Sequence, residues 1–163
     1  MNDYVYVGKI VNTHGIKGEV RLLSSFEYKD LVFKTGIELY VGSNRESLII
    51  NTYRPHKEFD MITIKGIDNI NDVLRYKGLK VYVKREILNL GDKYLIEDLV
   101  GMDVLFNNAT IGKVTEIMYN NSNILLHVVG EKSFYIPNNG NFVKKVNLKT
   151  KTVEVENVEG LML

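Results

Sequence analysis

The chain contains no cysteine. That removes disulfides, thiolate metal sites and cysteine nucleophiles. Histidine is scarce: His14, His56 and His127 are the only three, and none sits in a nucleophile or metal motif. A zinc site needs four nitrogen or sulfur ligands, or three and a water, so three scattered histidines argue against one. No run of about 18 apolar residues occurs, and no membrane-spanning helix is expected. The start, Met1-Asn2-Asp3-Tyr4, lacks a basic leader and a sustained apolar stretch, so no signal peptide is expected either. Neither sign of charge is in excess: 21 Lys and Arg face 20 Asp and Glu, a net of +1. This excludes a strongly basic surface all round, but not a local basic face. These absences predict a cytoplasmic protein with no membrane partner, stabilised by ordinary packing.

Catalytic templates are missing too. Gly15-Ile16-Lys17-Gly18 is not a P-loop, which needs Gly-x-x-x-x-Gly-Lys-Ser/Thr opening a helix. The RNA-clamping GxxG loop of KH domains joins two helices, whereas strand-like residues flank this one. His14-Gly15 is not a Gly-x-Ser-x-Gly elbow. Carboxylate pairs such as Glu97-Asp98, or Asp68 with Asp72, serve as readily for caps and turns as for acid–base work. The expectation is a protein that is not an enzyme and takes no cofactor or metal.

What is present is an ordinary 45% hydrophobic content, laid out mostly at a period of two. Alternating runs rich in β-branched and aromatic residues fall at 4–11, 19–23, 37–41, 47–53, 60–65 and 79–83. Turn residues separate them: Gly15 and Gly18, Gly36, Gly42-Ser43-Asn44 and Gly66. A lapse at 87–93 reads as a linker. A second set follows at 102–106, 111–118, 124–129, 133–137, 142–146 and 152–156, with a turn at Asn107-Asn108-Ala109-Thr110 and a polar loop at 119–123. Short strands at this spacing predict antiparallel barrels or sandwiches. One stretch departs from the pattern. In 68–78, Ile70, Val73 and Leu74 recur at i, i+3, i+4, Asp68 or Asn69 can cap, and Gly78 suits a left-handed exit. One short helix is predicted there, closing one mouth of a barrel.

Charge divides unevenly. Residues 1–86 hold 14 Lys/Arg against 11 Asp/Glu, and residues 87–163 hold 7 against 9. In the first half, Lys9, Lys17 and Arg21 flank the Gly15–Gly18 turn, and Arg45, Arg54, His56 and Lys57 follow. Such cations attract phosphate through charge and counterion release. Tyr4, Tyr6, Tyr40 and Tyr53 are of the type that stacks on unpaired bases, though strand tyrosines also serve as packing. Gly15 and Gly18 suit a tight reversal whatever the function, and His14 fits a turn hydrogen bond as well as an RNA contact.

The stretch Val7-Gly8-Lys9-Ile10-Val11-Asn12-Thr13-His14-Gly15-Ile16-Lys17-Gly18-Glu19-Val20-Arg21-Leu22 resembles the N-terminal signature of the RimM family, the bacterial ribosome maturation factors. Downstream, Gly66-Ile67-Asp68 and Gly78, Asp98-Leu99-Val100-Gly101, Ile111-Gly112-Lys113-Val114, Ile136-Pro137 and Glu159-Gly160-Leu161 match further family motifs in order. The resemblance implies an all-β chain with one short helix, built as two small β-barrels in tandem. A translation-factor-like six-stranded barrel (1–86) would be followed, after the linker 87–93, by a PRC barrel (94–163). It implies binding without catalysis to the precursor of the small ribosomal subunit near its head. The partners would be small-subunit rRNA and a ribosomal protein of the head, and the chain would act as a monomer. His14, Lys17, Arg21 and Lys9 would be the RNA- or ribosome-facing residues. The family often has two adjacent tyrosines before Asp-Leu-Ile/Val-Gly; Tyr94 and Leu95 stand there, so one aromatic anchor of the ribosomal-protein contact is replaced. Asn123-Ile124-Leu125 and Asn147 replace common aspartates with turn-compatible residues. Two other readings share these features: a general RNA-binding module without an assembly role, and a protein-only PRC-barrel adaptor.

Overall fold

The computed structural model describes residues 3–120 and 123–163. The chain forms two compact units, Met1–Asn89 and Leu90–Leu163. In the first, six strands follow in order: β1 Tyr4–His14, β2 Glu19–Leu23, β3 Glu38–Val41, β4 Glu46–His56, β5 Phe59–Ile64 and β6 Lys80–Lys84. They pair antiparallel as β1-β2-β5-β4-β3-β6, and β6 returns to β1 to close a barrel. Closure leaves no unpaired edge. Alternation fills the interior: Val7, Ile10, Val20, Leu22, Leu39, Val41, Ile50, Ile62, Val81 and Val83 are all buried.

Long strands serve two neighbours by bending. β1 pairs with β6 through Tyr4–Lys9 and with β2 through Lys9–His14. Its register shifts between Tyr6 and Gly8 and again between Ile10 and Asn12. Gly8 lies at the first bend because a Cβ there would come 3.0 Å from the Leu23 carbonyl oxygen. Bulges and glycines are how a sheet turns a barrel corner.

The helix expected over 68–78 is absent. The segment instead makes two 3₁₀ turns, Ile70–Asp72 and Leu74–Tyr76. Ile70, Val73 and Tyr76 recur every three residues, which matches the 3.0-residue turn of a 3₁₀ helix better than the α repeat. Val73 and Tyr76 are therefore buried, while Leu74 is half exposed. Asn69 caps the first turn by accepting from the Asn71 N–H at 2.8 Å, and Gly78 exits at φ +88°. The segment is tied to the β1–β2 turn by Ile70 N–H to Ile16 C=O and to the middle of β1 by Gly78 N–H to Ile10 C=O. The one short α-helix among the described residues, α1 Lys29–Val32, lies between β2 and β3 and buries Val32.

The stretch 85–93 is a chain of turns. A 3₁₀ turn spans Arg85–Leu88 with Leu88 buried. Asn89 is left-handed, and Lys93 N–H bonds back to Leu90 C=O.

The second unit holds β7 Asp103–Phe106, β8 Ala109–Asn120, β9 Asn123–Val129, β10 Ser133–Pro137, β11 Val143–Asn147 and β12 Thr152–Val155. They form one six-stranded sheet ordered β10-β9-β8-β7-β12-β11. Among the described residues only the β12–β7 pair is parallel. Asn107 and Asn108, both at positive φ, make the two-residue turn between β7 and β8. Of the polar loop expected at 119–123, residues 121 and 122 lie outside the described residues, and the rest belong to β8 and β9. The sheet wraps a core of Leu99, Val104, Val114, Leu126, Val128, Ile136, Val153 and Val158. Its edge strands carry blockers: β10 ends in Pro137, and β11 presents Lys144 and Lys145. Proline and lysine on edges discourage further pairing.

Candidate nucleic-acid interface

The β1–β2 hairpin turns through Gly15-Ile16-Lys17-Gly18, closed by the pair His14 and Glu19. Gly15 and Gly18 both take positive φ, +76° and +88°. A Cβ on Gly18 would also approach the Asn69 carbonyl oxygen to 3.1 Å. Only glycine meets both demands without strain. The tip this creates projects Ile16, 81% exposed, beside the exposed Lys17.

Below the tip, alternation turns Glu19 and Arg21 outward while Val20 and Leu22 face the core. Arg21 Nη2 donates to His14 Nδ1 at 2.9 Å. A guanidinium has only donors, so Nδ1 must accept and the ring proton sits on Nε2, pointing away from the arginine. The Arg21 guanidinium lies 5.4 Å from the centroid of Phe59, and its Nε is buried without an acceptor among the described residues. The His56 ring is 6.3 Å from that of His14. Arg54 holds Glu19 in a fork, Nε to Oε2 at 2.9 Å and Nη2 to Oε1 at 2.7 Å. That hydrogen bonding holds the Glu19 carboxyl below its ordinary pKa, with partial burial opposing it and the charge of Arg54 adding to it.

The fold thus brings His14 and Arg21 together and leaves Lys17 at the tip. Lys9 lies elsewhere, in register with Lys80 of β6 on the barrel's outer wall. Arg54 is neutralised by Glu19. Tyr53 stacks on Phe33 at 5.9 Å and donates to Asp60 at 2.7 Å, so its ring is committed to packing. Phe59 and the Glu19–Arg54 fork were not read from the sequence. The fork joins residues 35 apart, and only the alternation of Glu19 with Arg21 pointed to that face. Among the described residues no three His, Asp or Glu side chains converge as a metal site.

In the second unit, Tyr94 packs partly buried against the core. Leu95, only 4% exposed, points inward. Its N–H bonds Asp98 Oδ2 at 2.9 Å and its carbonyl accepts from Asp98 N–H at 2.8 Å. The reciprocal pair fixes the start of the 3₁₀ turn Ile96–Leu99.

Two family models match the chain in tandem: the RimM N-terminal domain over residues 5–88 and the RimM PRC barrel domain over residues 96–161. The chain belongs to the RimM family. Among curated relatives, the ribosome maturation factor RimM of Staphylococcus haemolyticus is 40% identical over 97% of this chain and 98% of its own. That of an Exiguobacterium species is 35% identical over 98% and 97%. Among solved structures, a 16S ribosomal RNA processing protein RimM from Pseudomonas aeruginosa is 19% identical, with a TM-score of 0.45 over 94% of this chain and 97% of that one. The RimM N-terminal domain of Thermus thermophilus is 16% identical, with a TM-score of 0.46 over 53% of this chain and 95% of that one. For this RimM-family chain the closed barrel is thus the N-terminal domain, and the second six-stranded sheet is the PRC barrel domain.

Proposed function

We propose that this protein is a cytoplasmic ribosome maturation factor. It binds the immature small subunit near its head and promotes folding and processing of the small-subunit RNA by holding it. The observation that carries this is the presence of both family domains, in order, across nearly the whole chain. The relatives that share this span are ribosome maturation factors.

The barrel geometry supports an RNA-facing role for the hairpin tip. Lys17 stands exposed at the tip as a point charge, and Arg21, oriented by His14 and Phe59, offers a directed one. The second unit takes the head protein, with Tyr94 at the contact and Leu95 shaping the turn beneath it. Gripping RNA and protein from one chain raises the effective concentration of each for the other. To drive assembly, the chain must prefer the unfinished particle, since equal affinity for both states shifts nothing.

The test is co-sedimentation of the purified chain with precursor and mature small subunits, with and without nuclease. Preferential capture of the precursor is expected. Lys17→Ala should weaken it and flatten the salt dependence by about one phosphate contact. Even distribution over both particles would favour a general RNA-binding module, and capture that survives nuclease would favour a protein-only adaptor.

A further inference from the structure

The outer wall of the barrel opposite the core of β1, β6 and β3 carries a second arrangement that the hairpin does not use. Register places Tyr6 against Tyr82 and Tyr82 against Tyr40, a row of three tyrosines across three adjacent strands. Tyr4 leans onto Tyr40 edge-on at 5.3 Å, and Tyr6 onto Tyr82 at 5.9 Å. Rows of cations border them. Lys84 is in register with Tyr4 on one side, and Lys9 with Lys80 on the other. Lys84 lies 5.3 Å from the Tyr40 ring centroid and Lys80 6.0 Å from that of Tyr6.

Arg45 completes the wall. Its guanidinium is 3.8 Å above Tyr82 and 5.1 Å from Tyr4. Arg45 Nη1 donates to the Gly42 carbonyl at 2.8 Å, which fixes the plane. The residue holds φ +54°, a region that side chains other than Gly and Asn rarely occupy. An arginine kept in a costly backbone geometry, with its flat face laid on a tyrosine, is a preorganised stacking surface. The outward acid on these strands, Glu38, is occupied by the hydroxyls of Tyr40 and Ser47. Asp3 and Glu86 lie only at the margin, beside Lys84 and Arg85.

We infer that this wall is a binding platform for a single-stranded stretch of RNA, with bases stacking on Tyr6 and the Arg45 plane and phosphates following Lys9, Lys80 and Lys84. Aromatic rows across a sheet with interleaved cations recognise unpaired nucleotides, because every base has a π-face and every linkage a charge. Duplex RNA hides its base faces and gains only the charge contacts. An acidic protein segment would meet the cations but leave the rings unused. The inference names a ligand for the first unit and rests on the proposed function only in taking RNA as the partner.

The test uses the full chain and a fluorescein-labelled single-stranded RNA of about ten nucleotides, read by anisotropy. The chain has ten tyrosines and no tryptophan, so stacking also registers as quenching of tyrosine emission. Tyr6 is 50% exposed, and its replacement leaves the core intact. Tyr6→Ala should weaken binding about tenfold and reduce the quench, and Tyr6→Phe should restore both. Lys80→Ala with Lys84→Ala should reduce the salt slope by about 1.4. Wild-type affinity in Tyr6→Ala, equal affinity for duplex of the same length, or displacement of the RNA by polyglutamate at matched charge would each overturn the platform. Oligonucleotide binding without capture of precursor subunits would sink the assembly role and leave the platform standing. Capture without oligonucleotide binding would do the reverse.

Discussion

Tyr53 and Tyr76 both keep their phenol protons far into alkali. Burial is the main cause for each, reinforced by a hydrogen bond to Asp60 for Tyr53 and to Glu46 for Tyr76, and both pKa values are pushed up to about 12. An unfolded tyrosine ionises near about 10. Between those values the folded barrel binds more protons than the unfolded chain, so its stability is fully present below about pH 10 and falls as pH rises toward 12. Urea midpoints at about pH 9 and about pH 11 should therefore separate widely for the wild type and less for Tyr53→Phe. An equal drop in both proteins would show that the Tyr53 phenol is not the cause. At the acid end the sign reverses. Glu19 and Glu38 are lowered by hydrogen bonds, from Arg54 and from Ser47 with Tyr40 respectively. Their contribution is present above the ordinary carboxylate pKa and disappears as pH falls through the lowered one.

At the scale of elements, the tightest joint in the second unit lies between β8 and the end of β9. A Cβ on Gly130 would fall 2.1 Å from the Ile111 carbonyl oxygen, and one on Gly112 would fall 2.7 Å from that of Val129. Two backbones touch where side chains would have to stand, and neither contact ends in a flexible group that can move aside. Gly130→Ala should therefore cost more than about 3 kcal/mol and unfold the second unit selectively. The check is a thermal scan in which the barrel's transition survives. A variant as stable as the wild type would mean that the strands slide apart at little cost. The twelve strands among the described residues were legible in the sequence because most alternate at period two and the others, such as β11 Val143–Asn147, are short apolar-bounded runs between turn residues. The segment 68–78 was not, since a spacing of three with one neighbour at four fits both helical types, and only the burial of Tyr76 in place of Leu74 decides between them. The four-residue α1 has no capping side chain to announce it. Of the platform, Lys9, Tyr4, Tyr6, Tyr40 and Arg45 stood out in the sequence one at a time, whereas Lys80, Tyr82 and Lys84 did not. The row of Tyr6, Tyr82 and Tyr40 exists only through the registers of β1, β6 and β3, which join residues far apart in the chain.

For the whole molecule, the decisive property is division. Each unit has its own buried core and its own complete sheet, and the charge of the two halves differs in sign. Separately produced fragments 1–89 and 90–163 should each fold, because no strand of either sheet is supplied by the other unit. The barrel fragment should keep the affinity of the full chain for single-stranded RNA, since every residue of the platform and the hairpin lies within it. Precursor subunits should behave differently. If both units grip the particle, joining them converts the second contact into an intramolecular one, and the full chain should bind at least about a hundredfold more tightly than either fragment. Mixing the two fragments should not restore that gain, because nothing then holds one near the other's site. Competition of each fragment, and of the mixture, against labelled full chain on purified precursor subunits measures the difference. A single fragment that matches the full chain would reduce the protein to one working domain with a passenger, and the account of two linked grips would be lost.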